Sequence, residues 1–187
     1  MITIPTVLTL VRIALIPVFV LFYYLPVHWS HLAATLVFSL AAITDWFDGY
    51  LARKMGQMSA FGAFLDPVAD KLMVGVALIL IVQADPSPWI AIPAAVIIGR
   101  EITVSALREW MAEIGKSSRV AVSQLGKIKT TAQMTALIVL IYHKPLWGLP
   151  LQEIGYIALY MAAILTLWSM TRYLAKAWPS LRDGESK

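Results

Sequence analysis

The stretch ITDWFDGYLARKMGQMSAFGAFLDPVADKL (residues 43–72) places four aspartates and three glycines between two long apolar segments. Asp45 and Asp48 are three residues apart near the end of one segment, and Asp66 and Asp70 are four residues apart at the start of the next. At these spacings each pair projects from one face of a helix. The connection between the pairs is short, so we expect two neighbouring antiparallel helices that bring their acidic faces together.

The composition of the chain indicates an integral membrane protein. Of its 187 residues, 59% are hydrophobic and 14% are charged, and the mean hydropathy is +0.74, which is too apolar for a soluble domain of this size. Apolar windows long enough to cross the hydrocarbon core, roughly 20 residues each, lie near residues 4–25, 32–52, 64–84, 88–111, 127–143 and 153–174. We therefore predict an all-α integral membrane protein, a bundle of six transmembrane helices. The absence of an internal repeat or a long linker predicts a single domain over residues 1–187.

The placement of charge predicts how this bundle is oriented. Basic residues gather after the second window, between the fourth and fifth windows, and after the sixth: Arg53, Lys54, Lys116, Arg119, Lys127, Lys129, Arg172, Lys176, Arg182 and Lys187. The opposite connections hold one lysine, Lys144. By the positive-inside rule, both termini and the two basic connections face the cytoplasm, and the acidic stretch lies on that side. The chain has no cysteine, which excludes a disulfide framework and a thiolate metal site.

The four aspartates indicate a functional site, because a carboxylate at bilayer depth costs on the order of 3 kcal/mol on insertion scales. Clustered carboxylates repel one another strongly unless cations lie between them. Oxygen ligands without His or Cys favour hard divalent ions such as Mg²⁺ or Mn²⁺. We predict that the metal ligands are Asp45, Asp48, Asp66 and Asp70. The alternative is that these acids pair with basic side chains at a wet helix end, namely Arg53, Lys54 and Lys71.

A basic set lies further along the chain, on the same predicted side of the membrane. Arg100 and Arg108 are eight residues apart, close to two helical turns, so we expect them to share a face. Glu101 belongs to the same polar set, and Lys127 and Lys129 open the fifth window. Basic side chains beside an acidic metal site suggest recognition of phosphate. Arg12 lies inside the first window and is expected to face protein or water rather than lipid. Snorkelling to lipid head groups is the preferred interpretation for three other basic residues, Arg119, Arg172 and Lys176.

The acidic stretch resembles the signature of the CDP-alcohol phosphotransferase family of membrane enzymes. The matching positions are Asp45, Asp48, Gly49, Ala52, Arg53, Gly62, Asp66 and Asp70. Three further stretches resemble the branch of this family that uses glycerol 3-phosphate as acceptor: IPTVLTLVRIALIP, REITVSALREWMAE and GKIKTTAQM. That branch often has Asn where this chain has Thr6, so no role of an amide is carried over to this position.

The resemblance implies transfer of a phosphatidyl group from CDP-diacylglycerol to sn-glycerol 3-phosphate, with release of CMP. It implies two divalent cations, Mg²⁺ or Mn²⁺, held by the four aspartates, with Asp70 also acting as the base. Gly49, Ala52 and Arg53 match positions that lie against the cytidine diphosphate. The acceptor phosphate would then meet the basic set, Arg100, Arg108, Lys127 and Lys129. A homodimer in the bacterial inner membrane, with a cytoplasmic active site, is also implied.

Two other functions remain open at this point. Intramembrane aspartates also mark ion pathways, so a cation transporter is one alternative, although these acids lie at one predicted helix end rather than near the midplane. The other alternative is the same transfer chemistry with a different acceptor: a glycerophospholipid, inositol phosphate or serine. The aspartate signature alone does not separate these acceptors, and the resemblance over residues 100–129 favours glycerol 3-phosphate.

Overall fold

The computed structural model describes residues 4–55, 60–114, 124–144 and 148–184, and some side chains within these ranges lie outside the described part. In these ranges the chain forms six helices: α1 (Ile4–Tyr24), α2 (Ser30–Met55), α3 (Ala60–Ala84), α4 (Pro88–Glu113), α5 (Gln124–Tyr142) and α6 (Leu151–Gly184). The predicted all-helical architecture is confirmed. The helices match the apolar windows within a few residues, except that α6 continues beyond its window to Gly184.

Three of the described helices contain a segment that is both long and apolar enough to cross a membrane. These segments are Thr6–Tyr24, Pro88–Glu113 and Leu151–Ala175, and Ser30–Asp45 of α2 is a shorter apolar segment. The chain is therefore a membrane protein with several apolar helices, and the count of six membrane spans stays a prediction.

Apolar and polar side chains are distributed as expected for a bundle surrounded by lipid. Leu21, Ile79 and Ile164 are 61%, 61% and 64% exposed, whereas Thr9 and Arg12 are 0% and 1% exposed. Hydrocarbon accepts apolar side chains on the outside of such a bundle, while polar groups must find partners inside it. Polar side chains such as Thr9 and Arg12 therefore lie in the interior, where protein groups can pair with them.

Helix α1 lies between α2 and α3 and packs on each of them more extensively than they pack on each other. Helix α5 packs on α6 and α2, and α4 packs on α6 and α3. Among the described residues, α2 and α3 are joined mainly through α1, and the expectation that their acidic faces come together is met by Asp45 and Asp70, which line one cavity. The buried polar face of α1 lies against both helices: the Thr9 hydroxyl donates to Asp66 of α3, and Arg12 pairs with Asp45 of α2.

The apolar core extends through the bundle up to the cavity that Asp45 and Asp70 line, where Phe38, Ala41 and Met73 belong to both. All six helices contribute a side chain that is 0% exposed: Phe19, Phe38, Leu78, Ile97, Leu137 and Leu159. Aromatic packing adds to this core, since the ring centroids of Phe19 and Phe38 are 5.6 Å apart. This core holds the helices so that the starts of α1, α3 and α5 meet the later parts of α2, α4 and α6.

The contact between α5 and α6 depends on a glycine. A Cβ atom added at Gly155 would lie 2.7 Å from Cδ2 and 2.8 Å from Cγ of Leu140, and 3.2 Å from Cγ1 of Val139. Leu140 is itself only 4% exposed, so its side chain has little room to move. Helix α6 therefore approaches α5 closely at the position where it has no side chain.

We predict that Gly155→Ala destabilises the protein by about 1–3 kcal/mol, because the added methyl group overpacks the contact with Leu140. The measurement is the free energy of unfolding in detergent. Gly99→Ala is the matched control, since a Cβ there meets no atom within 4 Å. A Gly155→Ala protein as stable as the Gly99→Ala protein would contradict the close approach.

Candidate active site at one end of the bundle

Helix α1 binds one predicted metal ligand from each of its neighbours. Arg12 Nη1 lies 2.5 Å from Asp45 Oδ1 of α2, and the Thr9 hydroxyl donates a hydrogen bond of 2.5 Å to Asp66 Oδ1 of α3. Thr9 and Arg12 are three residues apart, so they lie on one face of α1. This face therefore links the two acidic segments, which are distant from it in the sequence.

Asp70 lies where the acidic and basic parts of the site meet. It lines a small cavity together with Arg12 and Asp45, and a second cavity together with Glu101 and Lys129. It interacts electrostatically with charged groups from four other helices: Asp45, Glu101, Arg12 and Lys129. Among the predicted acids with described side chains, Asp70 is thus the one that reaches the basic set.

The basic part of the site is built around Glu101 of α4. Its Oε1 accepts a hydrogen bond of 2.9 Å from Arg100 Nη1 and one of 2.5 Å from Lys129 Nζ of α5. Lys129 is 5% exposed, so its ammonium group is placed in the interior with a carboxylate partner. Gln133, also 5% exposed, lines the same cavity one helical turn after Lys129. This end of the bundle therefore contains a buried charged network.

Arg100 also contacts α6. Its Nη2 donates a hydrogen bond of 2.9 Å to Ser169 Oγ, and its guanidinium carbon lies 5.8 Å from the centroid of the Tyr173 ring. Arg108, by contrast, is exposed. Eight residues at about 100° each leave the two arginines about 80° apart around the helix axis. The expectation that Arg100 and Arg108 share a face is therefore wrong, since Arg100 faces the interior and Arg108 does not.

Several predicted site residues have side chains outside the described part of the structure. They are Asp48, Gly49, Ala52 and Arg53 of α2, and Lys127 of α5. Of the predicted residues that are described, Asp45, Asp70, Arg100 and Lys129 form one connected network of charges, and Asp66 joins it through α1. The acids with described side chains that were predicted from helical spacing thus lie together at one end of the bundle.

Sequence reasoning assigned no binding role to two side chains that are central in the structure. Arg12 was expected only to avoid lipid, and it pairs with Asp45. Glu101 was noted as one member of a polar set, and it joins Arg100 to Lys129. The signal for both was the same, a charged residue within an apolar helix, which requires a partner inside the protein.

The donor chemistry of the acidic part fits a hard divalent cation. Asp45 and Asp70 line one cavity, and their carboxylate oxygens are the ligand type that Mg²⁺ and Mn²⁺ prefer. Within the described side chains, no three acidic or histidine residues are arranged to hold a metal ion. Asp48, the remaining acid of the signature, lies outside that part.

Comparison with known proteins identifies the family. The sequence profile of the CDP-alcohol phosphatidyltransferase family matches residues 2–168. The chain belongs to the CDP-alcohol phosphatidyltransferase family. It is similar to a protein of Shigella flexneri serotype 5b (strain 8401) and one of Escherichia coli (strain K12), each 56% identical over 180 residues, 96% of this chain and 97% of the relative. Both are named "CDP-diacylglycerol--glycerol-3-phosphate 3-phosphatidyltransferase".

Membership confirms the family resemblance of the acidic stretch and makes this chain a phosphatidyltransferase enzyme. Dependence on divalent metal is general in CDP-alcohol phosphatidyltransferases. Asp45 and Asp70, which line one cavity, are both positions of the family signature.

We predict that Thr9→Val lowers the free energy of unfolding by about 1–3 kcal/mol, because the carboxylate of Asp66 loses a buried hydrogen-bond donor while the side-chain volume is kept. Thr103→Val is the control, since the Thr103 hydroxyl donates to Gly99 O of its own helix and the residue is exposed. Denaturation of both variants in detergent gives the comparison. Equal losses in the two proteins would show that the contact of Thr9 with Asp66 does not stabilise the fold.

Proposed function

We propose that this enzyme is a phosphatidylglycerophosphate synthase, which transfers the phosphatidyl group of CDP-diacylglycerol to sn-glycerol 3-phosphate and releases CMP. Its product would feed phosphatidylglycerol and cardiolipin biosynthesis. The observation that carries this proposal is 56% identity, over 96% of the chain, to relatives whose name states this donor and this acceptor. The cavity that contains both Asp70 and Lys129 supports it independently.

This cavity offers two chemistries that the acceptor requires. Glycerol 3-phosphate carries a hydroxyl group that must lose its proton and a dianionic phosphate that must be bound. Asp70 provides a carboxylate base, and Lys129 provides a compact positive charge in the same cavity. We propose that Arg100 supports the phosphate from the side of α6, and that Arg108 and Lys127 complete the basic set.

The acidic part of the site would hold the cofactor. We propose two divalent cations, Mg²⁺ or Mn²⁺, with the ligands Asp45, Asp48, Asp66 and Asp70. When bound, such ions withdraw charge from the pyrophosphate and stabilise the leaving CMP oxygen. Arg12 and Thr9 would orient two of these ligands, Asp45 and Asp66, from α1.

The donor nucleotide would lie against the α2 end of the signature. We propose that Gly49 and Ala52 leave space for the cytidine diphosphate and that Arg53 binds one of its phosphates. The basis for these three roles is the family spacing in the sequence. Small residues permit close approach of a ligand to the backbone, and a guanidinium group suits a phosphate.

The acyl chains of CDP-diacylglycerol remain in the bilayer, so the reaction belongs at the membrane interface. We propose a multi-pass protein of the bacterial inner membrane, with both termini and the active site on the cytoplasmic side. Basic residues gather in the connections and the C-terminal segment on the side of the site, and this bias supports the proposed orientation. We further propose that residues 1–187 form one transmembrane domain and that the enzyme is a homodimer.

The test of this function is release of CMP by purified, detergent-solubilised protein given CDP-diacylglycerol and Mg²⁺. Separate reactions contain glycerol 3-phosphate, inositol 1-phosphate, serine or phosphatidylglycerol. We expect CMP only with glycerol 3-phosphate, no CMP in excess chelator, and recovery when Mg²⁺ or Mn²⁺ is restored. Release of CMP with a different acceptor would show that the proposed acceptor is wrong. Release of CMP that persists in excess chelator would exclude a requirement for divalent metal.

We predict that Asp70→Asn lowers kcat by at least about 10²-fold, because the amide cannot accept the proton of the acceptor hydroxyl. The measurement is the rate of CMP release per folded enzyme, with folding checked by thermal unfolding. Asp85→Asn is the control, since Asp85 follows α3 at the opposite end and is bonded there by the Tyr156 hydroxyl. Full activity of Asp70→Asn would exclude Asp70 as the base.

A further inference from the structure

Glu101 lies between two of the cations that the proposed function assigns to the acceptor phosphate. One carboxylate oxygen, Oε1, accepts hydrogen bonds from Arg100 Nη1 at 2.9 Å and from Lys129 Nζ at 2.5 Å. Arg100 precedes Glu101 on α4, whereas Lys129 comes from α5. Glu101 therefore joins a cation of its own helix to a cation of α5.

The two cations depend on Glu101 to different extents. Arg100 is also held from α6, by the hydroxyl of Ser169 and the ring of Tyr173. Lys129 extends from α5 into the interior, where it is 5% exposed and its ammonium group is bonded to Glu101. Loss of the Glu101 carboxylate would therefore displace Lys129 more than Arg100.

A second carboxylate competes for the ammonium group of Lys129. Asp70 lines the same cavity as Lys129 and Glu101, and it interacts electrostatically with Lys129. An ammonium group that moved onto Asp70 would pair with the proposed base and would also leave the acceptor phosphate site. The short contact between Lys129 and Glu101 opposes that movement.

We propose that Glu101 is a positioning residue for the acceptor, which holds Lys129 away from Asp70 so that the base and the phosphate-binding cation act on opposite ends of one acceptor molecule. This role rests on the proposed function, since it concerns the acceptor of that reaction. A lysine ammonium has three donors, so a bond to Glu101 leaves two for phosphate oxygens. Glu101 itself need not touch the substrate.

The first test is Glu101→Gln, which keeps the size of the side chain and removes its charge. We expect the KM for glycerol 3-phosphate to rise at least about tenfold, while the KM for CDP-diacylglycerol changes less than about twofold. A purely structural role would lower the active fraction and leave both KM values unchanged. Glu113→Gln, an exposed glutamate of the same helix, is the matched control. An unchanged acceptor KM in Glu101→Gln would overturn the proposal.

Because Glu101→Gln leaves the buried Lys129 without its carboxylate partner, its folding is checked by thermal unfolding. If that variant does not fold, Glu101→Asp is used to test the positioning role of Glu101. This variant keeps the charge and withdraws it by one methylene, so we expect an intermediate rise, about threefold to tenfold, in the acceptor KM alone. Equal KM values for Glu101→Asp and the wild type would overturn the proposal.

A double-mutant cycle tests whether Glu101 acts through Lys129. We expect Glu101→Gln to add less than about twofold to the acceptor KM of Lys129→Met, because the group that it positions is already absent. Effects of the two substitutions that multiply in full would overturn the proposal.

The proposed function and the role of Glu101 are judged by different quantities. CMP release by the wild type with glycerol 3-phosphate tests the function. The ratio of variant to wild-type acceptor KM, measured with whichever acceptor the wild type uses, tests Glu101.

Discussion

A charged group inside a membrane bundle must be neutralised by a partner within the protein, and the arrangement of the first three helices depends on this requirement. Arg12 is 1% exposed and pairs with Asp45, while Thr9 on the same face of α1 binds Asp66. Hydrocarbon provides no alternative partner for a guanidinium group at this depth. Helix α1 is therefore held between α2 and α3, and the two halves of the acidic signature face it rather than only each other.

The same requirement organises the basic half of the site. Lys129 and Arg100 are brought into the interior as an assembly with Glu101, and Ser169 connects that assembly to α6. Removing one partner from such an assembly leaves a buried charge uncompensated, so its members depend on one another. Asp70 lies between this assembly and the pair formed by Arg12 and Asp45. One carboxylate thus belongs to both halves, which is the position that the proposed base would need.

The division of the bundle into an apolar part and a polar end suits a reaction on a lipid head group. Side chains such as Phe19, Phe38 and Leu159 form a core without polar groups, and they fix the relative positions of the helices. The polar side chains gather where the starts and ends of successive helices meet. A rigid apolar scaffold is a good support for such a site, because it limits the movement of the groups that must be aligned.

How much could be read from the sequence differs between residues. Asp45, Asp66 and Asp70 could be singled out as candidate site residues because helical spacing and the family signature are local patterns. The six helices could be predicted because a helix must be apolar for about 20 residues to cross hydrocarbon. The sequence also determined that Arg12 could not face lipid. Only the tertiary structure decided that its partner is Asp45, that α1 lies between α2 and α3, and that Arg100 points inward whereas Arg108 is exposed. These features depend on which helix faces which, and packing sets that relation among segments that are far apart in the chain.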